Sequence, residues 1–253
     1  MYRHAIVRKP CRNFIHGLTT AGLGKPDYTR ALEQHSAYVV ALESCGLEAV
    51  VLEADERYPD SVFVEDVAVV TERLAVVTRP GAPSRRGEVD GIAASLRAFH
   101  PHLERIQAPG TLEGGDVMKV EDRFFIGLSQ RTNREGFDQF ARILEKYQYA
   151  ATAIPLRQVL HLKTGVAYLE KNNLLATGKF LSDPTFKNFR LISVESDESY
   201  AANSILVNGR VLIPSGFERT KLALESRGYP TLAVDISEFR KLDGGLSCLS
   251  LRF

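Results

Sequence analysis

The sequence predicts an α/β chain closed into a ring of five strand-strand-helix-strand units, and three observations lead to that architecture. First, a short hairpin opened by a polar residue recurs, at Asp66, Asp116 and Asn203. Second, the steps from Asp66 to Asp116 and from Asp116 to Asn203 are 50 and 87 residues, the latter being two steps of about 43. A further hairpin, Gly165-Val166-Ala167-Tyr168-Leu169 with Leu174-Leu175-Ala176-Thr177, fills the gap. Third, about 45 residues beyond Asn203 the chain reaches Cys248, and Leu249-Ser250-Leu251 has no following strand to pair with. Its partner must be Ala5-Ile6-Val7-Arg8, which closes the ring through the N- and C-terminal strands.

Each element follows from local pattern. Apolar residues recur at three- and four-residue spacing from Asp27 to Cys45, and Gly46 supplies the stop of a helix. Glu48-Ala49-Val50-Val51-Leu52 reads as the strand after it. Asp66 to Val70 and Leu74 to Val77 form the next hairpin around Thr71-Glu72-Arg73, with Ile92, Leu96 and Phe99 marking a helix. Thr132 and Glu135 predict a capping box before Phe137, Phe140 and Leu144, and Ser215 and Glu218 predict another. Asn208-Gly209 is a favoured two-residue hairpin turn.

Composition narrows the function classes. Thirty-two Lys and Arg against 31 Asp and Glu give no basic field for nucleic acid. Three cysteines are too few and too odd in number for a disulfide framework, which favours a reducing compartment. No run approaches the roughly 20 apolar residues of a membrane span. The expectation is one α/β domain over 1–253, cytoplasmic, binding neither membrane nor nucleic acid.

A repeat ring delivers one loop per unit to the same face. The loops entering the first strands carry Asp60, Glu65 and Asp66, then Glu113 and Asp116, then His161, Asn203 and Cys248. The intervals Glu65 to Glu113 and Glu113 to His161 are both 48. A thiol, an imidazole and several carboxylates suit a cationic, planar, carbon-centred electrophile, and guanidinium has donors on every edge and no acceptor. Singly, each residue has a structural reading: Asp66 and Asp116 as local backbone acceptors, His161 as a core histidine, Cys248 as a small buried hydrophobe. Cys11 and Cys45 read as structural. Neither a His-x-x-x-His nor a Cys-x-x-Cys pattern occurs, and no metal is expected.

With those residues in hand, the chain resembles the dimethylarginine dimethylaminohydrolase family of the pentein superfamily. The runs that carry the resemblance include Pro59-Asp60-Ser61-Val62-Phe63-Val64-Glu65-Asp66, Ser84-Arg85-Arg86-Gly87-Glu88, Glu113-Gly114-Gly115-Asp116, His161-Leu162-Lys163-Thr164-Gly165 and Asp243-Gly244-Gly245 through Cys248. It implies a fivefold α/β propeller and hydrolysis of Nω-methylated arginines to citrulline, with no cofactor. By the same resemblance Cys248 is the nucleophile, His161 the general acid and base, and Glu113 and Asp66 the guanidinium partners. Asp60 and Glu65 would orient the substrate, and Arg85 and Arg131 would bind its α-carboxylate. The carbonyls of Leu18 and Leu242 would accept from its α-ammonium, under a lid over residues 14–24. A homodimer is implied as well. The alternatives on this architecture are an arginine deiminase-type hydrolase and a non-catalytic propeller that binds a partner.

Overall fold

The computed structural model describes residues 1–157 and 159–253. Among them, five three-stranded sheets repeat one plan. Each has an antiparallel pair, a hairpin in four sheets and strands from opposite ends of the chain in the other, whose second strand pairs in parallel with a strand that arrives after a crossover. Strand β1 (His4–Arg8) leads to helix α1 (Tyr28–Ser44) and β2 (Glu48–Leu52). Next come β3 (Ala68–Val70), β4 (Ala75–Val77), helix α2 (Val89–Leu96) and β5 (Leu103–Arg105). The third unit is β6 (Val117–Val120), β7 (Arg123–Leu128), α3 (Arg134–Lys146) and β8 (Ala150–Pro155). The fourth is β9 (Val166–Tyr168), β10 (Asn173–Thr177) and β11 (Arg190–Val194). The fifth sheet is β12 (Ile205–Val207), β13 (Arg210–Pro214) and β14 (Thr231–Val234), with α4 (Glu218–Ser226) before β14 and the one-turn α5 (Ser237–Arg240) after it.

The expected closure is present. Strand β15 (Leu251–Arg252) pairs antiparallel with β1, placing Ala5 opposite Arg252 and Ile6 opposite Leu251, while β1 runs parallel to β2 from His4–Glu48 to Arg8–Leu52. Helix α1 secures the seam. Its buried Tyr38 hydroxyl donates to the Leu246 carbonyl at 2.8 Å and meets Ser250 Oγ at 2.6 Å.

Three expectations are corrected. The fourth unit has no α-helix: 3-10 turns at Gly178–Ser182 and Pro184–Phe186 link β10 to β11. Gly178 takes a φ of 56° and Pro184 opens the next 3-10 turn, so an α-helical ladder cannot run through the segment; buried Phe180 and Phe186 cover the sheet instead. The two capping boxes do not form. Asn133 caps α3 by accepting from Gly136 N at 2.8 Å, and Thr132 Oγ1 accepts from Glu113 N at 3.1 Å. For α4 the N-terminal donors are taken by Glu198, which accepts from Thr220 N at 2.7 Å and Thr220 Oγ1 at 2.6 Å. Finally, Cys248 lies within a 3-10 turn, Ser247–Leu249, and not at the start of the strand.

That turn is one of a set. Val64–Val67, Gly114–Asp116, Leu162–Thr164 and Ser196–Ala202 each precede the first strand of a unit in the same way. The first strands themselves line an axial cavity of about 700 Å³, which reaches Glu65, Lys163, Asn203 and Ser247 at the end nearer these turns. No helix among the described residues is long and apolar enough to cross a membrane.

Candidate active site

The ring of 3-10 turns carries five of the residues expected at the site, Glu65, Asp66, Glu113, His161 and Cys248. A turn of this kind fixes backbone direction with few residues, so a side chain inside it or just before it projects at a set angle toward the axis. Glu65 and Asp66 lie inside one turn, Glu113 and His161 immediately before two others, and Cys248 in the last. Of the ten residues predicted for the site, all but Glu65 line one pocket of about 40 Å³.

Cys248 is partly exposed, and its Sγ accepts from Gly245 N at 3.4 Å. Burial pushes the thiol up to about 12, with the Glu65 and Asp66 charges adding to the effect. Its turn is held by neighbours. Asn203 Oδ1 accepts from Ser247 N at 3.0 Å, and Ser247 Oγ donates to Glu65 Oε2 at 2.7 Å. Lys163 Nζ holds the other Glu65 oxygen at 2.5 Å. Glu65 therefore sits behind the thiol, on the side of the axial cavity, and does not face the pocket.

His161 Nε2 lies 2.7 Å from Glu113 Oε2 and 3.9 Å from Asp66 Oδ1. Burial alone would lower its pKa. The Asp66, Glu113 and Asp116 carboxylates outweigh that and raise it to about 9, so the ring rests as an imidazolium donating to Glu113. Gly115 makes room for it, because a Cβ there would fall 2.6 Å from His161 Nδ1. The one oxygen of Asp66, one of Glu113 and the ring nitrogen of His161 lie within 4.8 Å of one another, a cluster suited to a cationic group.

Glu113 is fully buried and accepts from Ala82 N at 3.2 Å. Asp66 accepts from Arg85 Nη1 at 2.6 Å and from Gly115 N at 3.0 Å. Burial opposes its ionisation, yet His161 and Arg85 hold the carboxyl below its usual range. Arg85 is buried and largely committed: Nε donates to Glu88 Oε1 at 3.0 Å, and Nη2 donates to Glu88 Oε2 at 2.8 Å and the Phe63 carbonyl at 2.9 Å. Among the described residues, Nη1 serves Asp66 alone, which leaves one N–H directed elsewhere. Arg131 is more open, with Nη1 3.6 Å from Glu113 Oε1.

Asp60, raised by burial, accepts from Leu18 N at 2.9 Å. Residues 18–20 lie across the mouth, where Thr19 Oγ1 donates to the Lys241 carbonyl at 2.8 Å and Thr20 Oγ1 to Asp243 Oδ2 at 3.1 Å. Leu242 closes the other wall. Sequence reasoning brought Asn203 to this face and missed the rest of the second tier: Glu88 beneath Arg85, Ser247 beside Asn203 behind the thiol, and Thr132 at the Glu113 backbone. Arg85 and Glu88, three apart in a Gly-containing stretch, were the one legible hint of this tier.

A fivefold α/β ring whose turn-side pocket gathers a thiol, a charged imidazole, buried carboxylates and two guanidinium groups defines a pentein-fold protein. The N-terminal domain of ArgZ, bound covalently to a reaction intermediate, shares this fold, with a TM-score of 0.89 at 19% identity over 100% of this chain and 97% of that one. Residues 25–181 match the family described as N,N dimethylarginine dimethylhydrolase, eukaryotic. The whole chain is 54% identical to the N(G),N(G)-dimethylarginine dimethylaminohydrolase of Pseudomonas aeruginosa, covering 100% of both. It is 36% identical to that of Streptomyces coelicolor over 99% of this chain and 96% of the relative. A solved cysteine-to-serine form of the Pseudomonas aeruginosa protein, complexed with citrulline, superposes with a TM-score of 0.99 at 53% identity, covering 100% of both chains. The chain belongs to the dimethylarginine dimethylaminohydrolase family.

Proposed function

We propose that this chain hydrolyses Nω-methylated arginines to citrulline, releasing dimethylamine or methylamine. The observation that supports this most is the pairing of Cys248 with an imidazolium held by Glu113 and Asp66, in one pocket with Arg131. Citrulline in the relative's complex fits the same product.

The chemistry follows from the charges. With its thiol pushed up to about 12, Cys248 rests as a thiol at pH 7. A guanidinium between Asp66 and Glu113 adds a positive charge and draws the pKa down. The thiolate then attacks the guanidino carbon, forming a C–S bond. His161 gives its proton to the departing amine as the C–N bond breaks, leaving a cationic S-alkyl thiouronium on Cys248. Neutral His161 next takes a proton from water. The hydroxide adds to the same carbon, the C–S bond breaks toward sulfur, and the added hydroxyl gives up its proton as citrulline leaves, restoring to Cys248 the proton its thiol released to solvent on substrate binding. Every atom comes from substrate and water, and the chain's own groups suffice.

Arg131 and the remaining Arg85 N–H are the carboxylate partners in this reading, and the Leu18 and Leu242 carbonyls the ammonium partners. Asp60 orients the mouth through Leu18 N, and Glu65 acts through Ser247. The pocket's small volume requires residues 18–20 to move for entry. The chain works as one domain over 1–253, a reading supported by the pairing of β1 with β15. Three free cysteines favour the reducing cytoplasm, and the family resemblance supports a homodimer.

Cys248→Ser tests the nucleophile. Citrulline formation is expected to disappear while asymmetric dimethylarginine still binds in calorimetry, and turnover at the parent rate would remove Cys248 from the role. Parallel kinetics on arginine and asymmetric dimethylarginine test the substrate. A preference for arginine would redirect the assignment to a deiminase.

A further inference from the structure

We propose that Asp116 and Ser129 form a brace that fixes the spacing between the turn carrying Arg131 and the turn carrying His161, and so the length of substrate the site accepts. The substrate-length part rests on the function proposed above. Asp116 is fully buried and does not line the pocket. Its Oδ1 accepts from Leu162 N, the residue after His161, at 3.0 Å. Its Oδ2 accepts from Ser129 Oγ at 2.6 Å. Ser129 Oγ in turn accepts from Arg131 N at 3.0 Å and Thr132 N at 3.1 Å.

A hydroxyl has one donor and two acceptor sites, so Ser129 is saturated and the polarity of the chain of bonds is fixed. Asp116 must accept at both oxygens. It therefore acts as a carboxylate, although burial pushes its pKa up. Gly127 keeps the space open, since a Cβ there would come 2.7 Å from Asp116 Oδ1.

The contacts close a circuit. Arg131 faces Glu113, Glu113 meets His161 Nε2, and His161 is followed by Leu162, which returns through Asp116 and Ser129 to Arg131. Thr132 Oγ1 adds a cross-strut to the Glu113 backbone. A methylarginine presents its carboxylate and its reacting carbon at opposite ends of a flexible chain, so the site must hold both ends at one distance. Misplacement by about 1 Å costs on the order of a hundredfold in rate. Within the circuit, Asp116 and Ser129 supply that distance without lining the pocket.

Two variants of the full chain test this. Ser129→Ala removes the hydroxyl. Asp116→Asn keeps the acceptor for Leu162 N but presents an N–H₂ to a Ser129 oxygen whose acceptor sites are taken. Amide hydrogen exchange at Leu162 should quicken about tenfold in Ser129→Ala, although Ser129 does not contact Leu162. The kcat/KM preference for monomethylarginine over the homologue with one methylene fewer should shrink about tenfold in both variants. Unchanged exchange at Leu162 in the Ser129 variant, or an unchanged preference in both, overturns the brace. Should the parent protein turn over neither compound while Leu162 exchange responds as stated, the proposed reaction fails and the brace stands.

Discussion

At the scale of single residues, the site carries two upward pKa shifts, the Cys248 thiol pushed up to about 12 and the His161 ring raised to about 9. Both keep their protons at neutral pH, the thiol chiefly through burial with Glu65 and Asp66 behind it, the ring through Asp66, Glu113 and Asp116 against burial. Glu113→Gln should move the His161 titration down from about 9 toward the ordinary histidine range, read from its ring-proton NMR shifts, and should lower citrulline formation at least tenfold. A titration unmoved by the variant would mean that Glu113 does not hold the ring. The shift also enters stability. A raised folded pKa stabilises the native state fully below the unfolded value near 6.5, and that contribution is lost as pH rises through about 9. The urea midpoint of the parent should therefore fall across that window, and the fall should be shallower in Glu113→Gln. The spacing of Glu113 and His161 made their meeting legible in the sequence. Their charge states were not legible, because these depend on burial and on Asp66 and Asp116, which only the folded ring assembles.

At the scale of elements, the recurring 3-10 turn is the device that places Glu65, Asp66, Glu113, His161 and Cys248, and no periodicity announces a three-residue turn. The sequence therefore showed the hairpins and misplaced Cys248 by the length of that turn. Helix ends were misread for a related reason. Thr132 and Glu198 satisfy donors far along the chain, and a capping box is a strictly local signal. Helix α1 is the element on which the Cys248 turn depends. Its Tyr38 hydroxyl anchors the Leu246 carbonyl and Ser250 Oγ on either side of the thiol. Tyr38→Phe leaves these buried groups short of a partner and should cost about 1–3 kcal/mol in chemical denaturation. It should also lower kcat more than it raises KM, since the substrate anchors are untouched. Full stability would show that Ser250 and water compensate.

At the scale of the whole molecule, the ring was the most legible feature. Repeat spacing is a long-range signal that survives local errors, even where the fourth unit replaces its helix with turns around Gly178 and Pro184. Closure concentrates dependence on few residues. Removing 251–253 deletes β15, leaving β1 unpaired along one side and Leu251 missing from the core against Ile6. The thermal midpoint should drop by at least about 5 °C, and activity should fall with it. A shortened chain of unchanged stability would show that the seam is held by α1 alone. The order of assembly follows from the same seam. During synthesis β1 emerges before the other strands of the ring and must wait, with an open edge, while the other four sheets are made. The thiol's turn and the strand that seals β1 then emerge together, so a nascent chain completes the pocket around Cys248 in the same event that shields its exposed edge from neighbouring polypeptides.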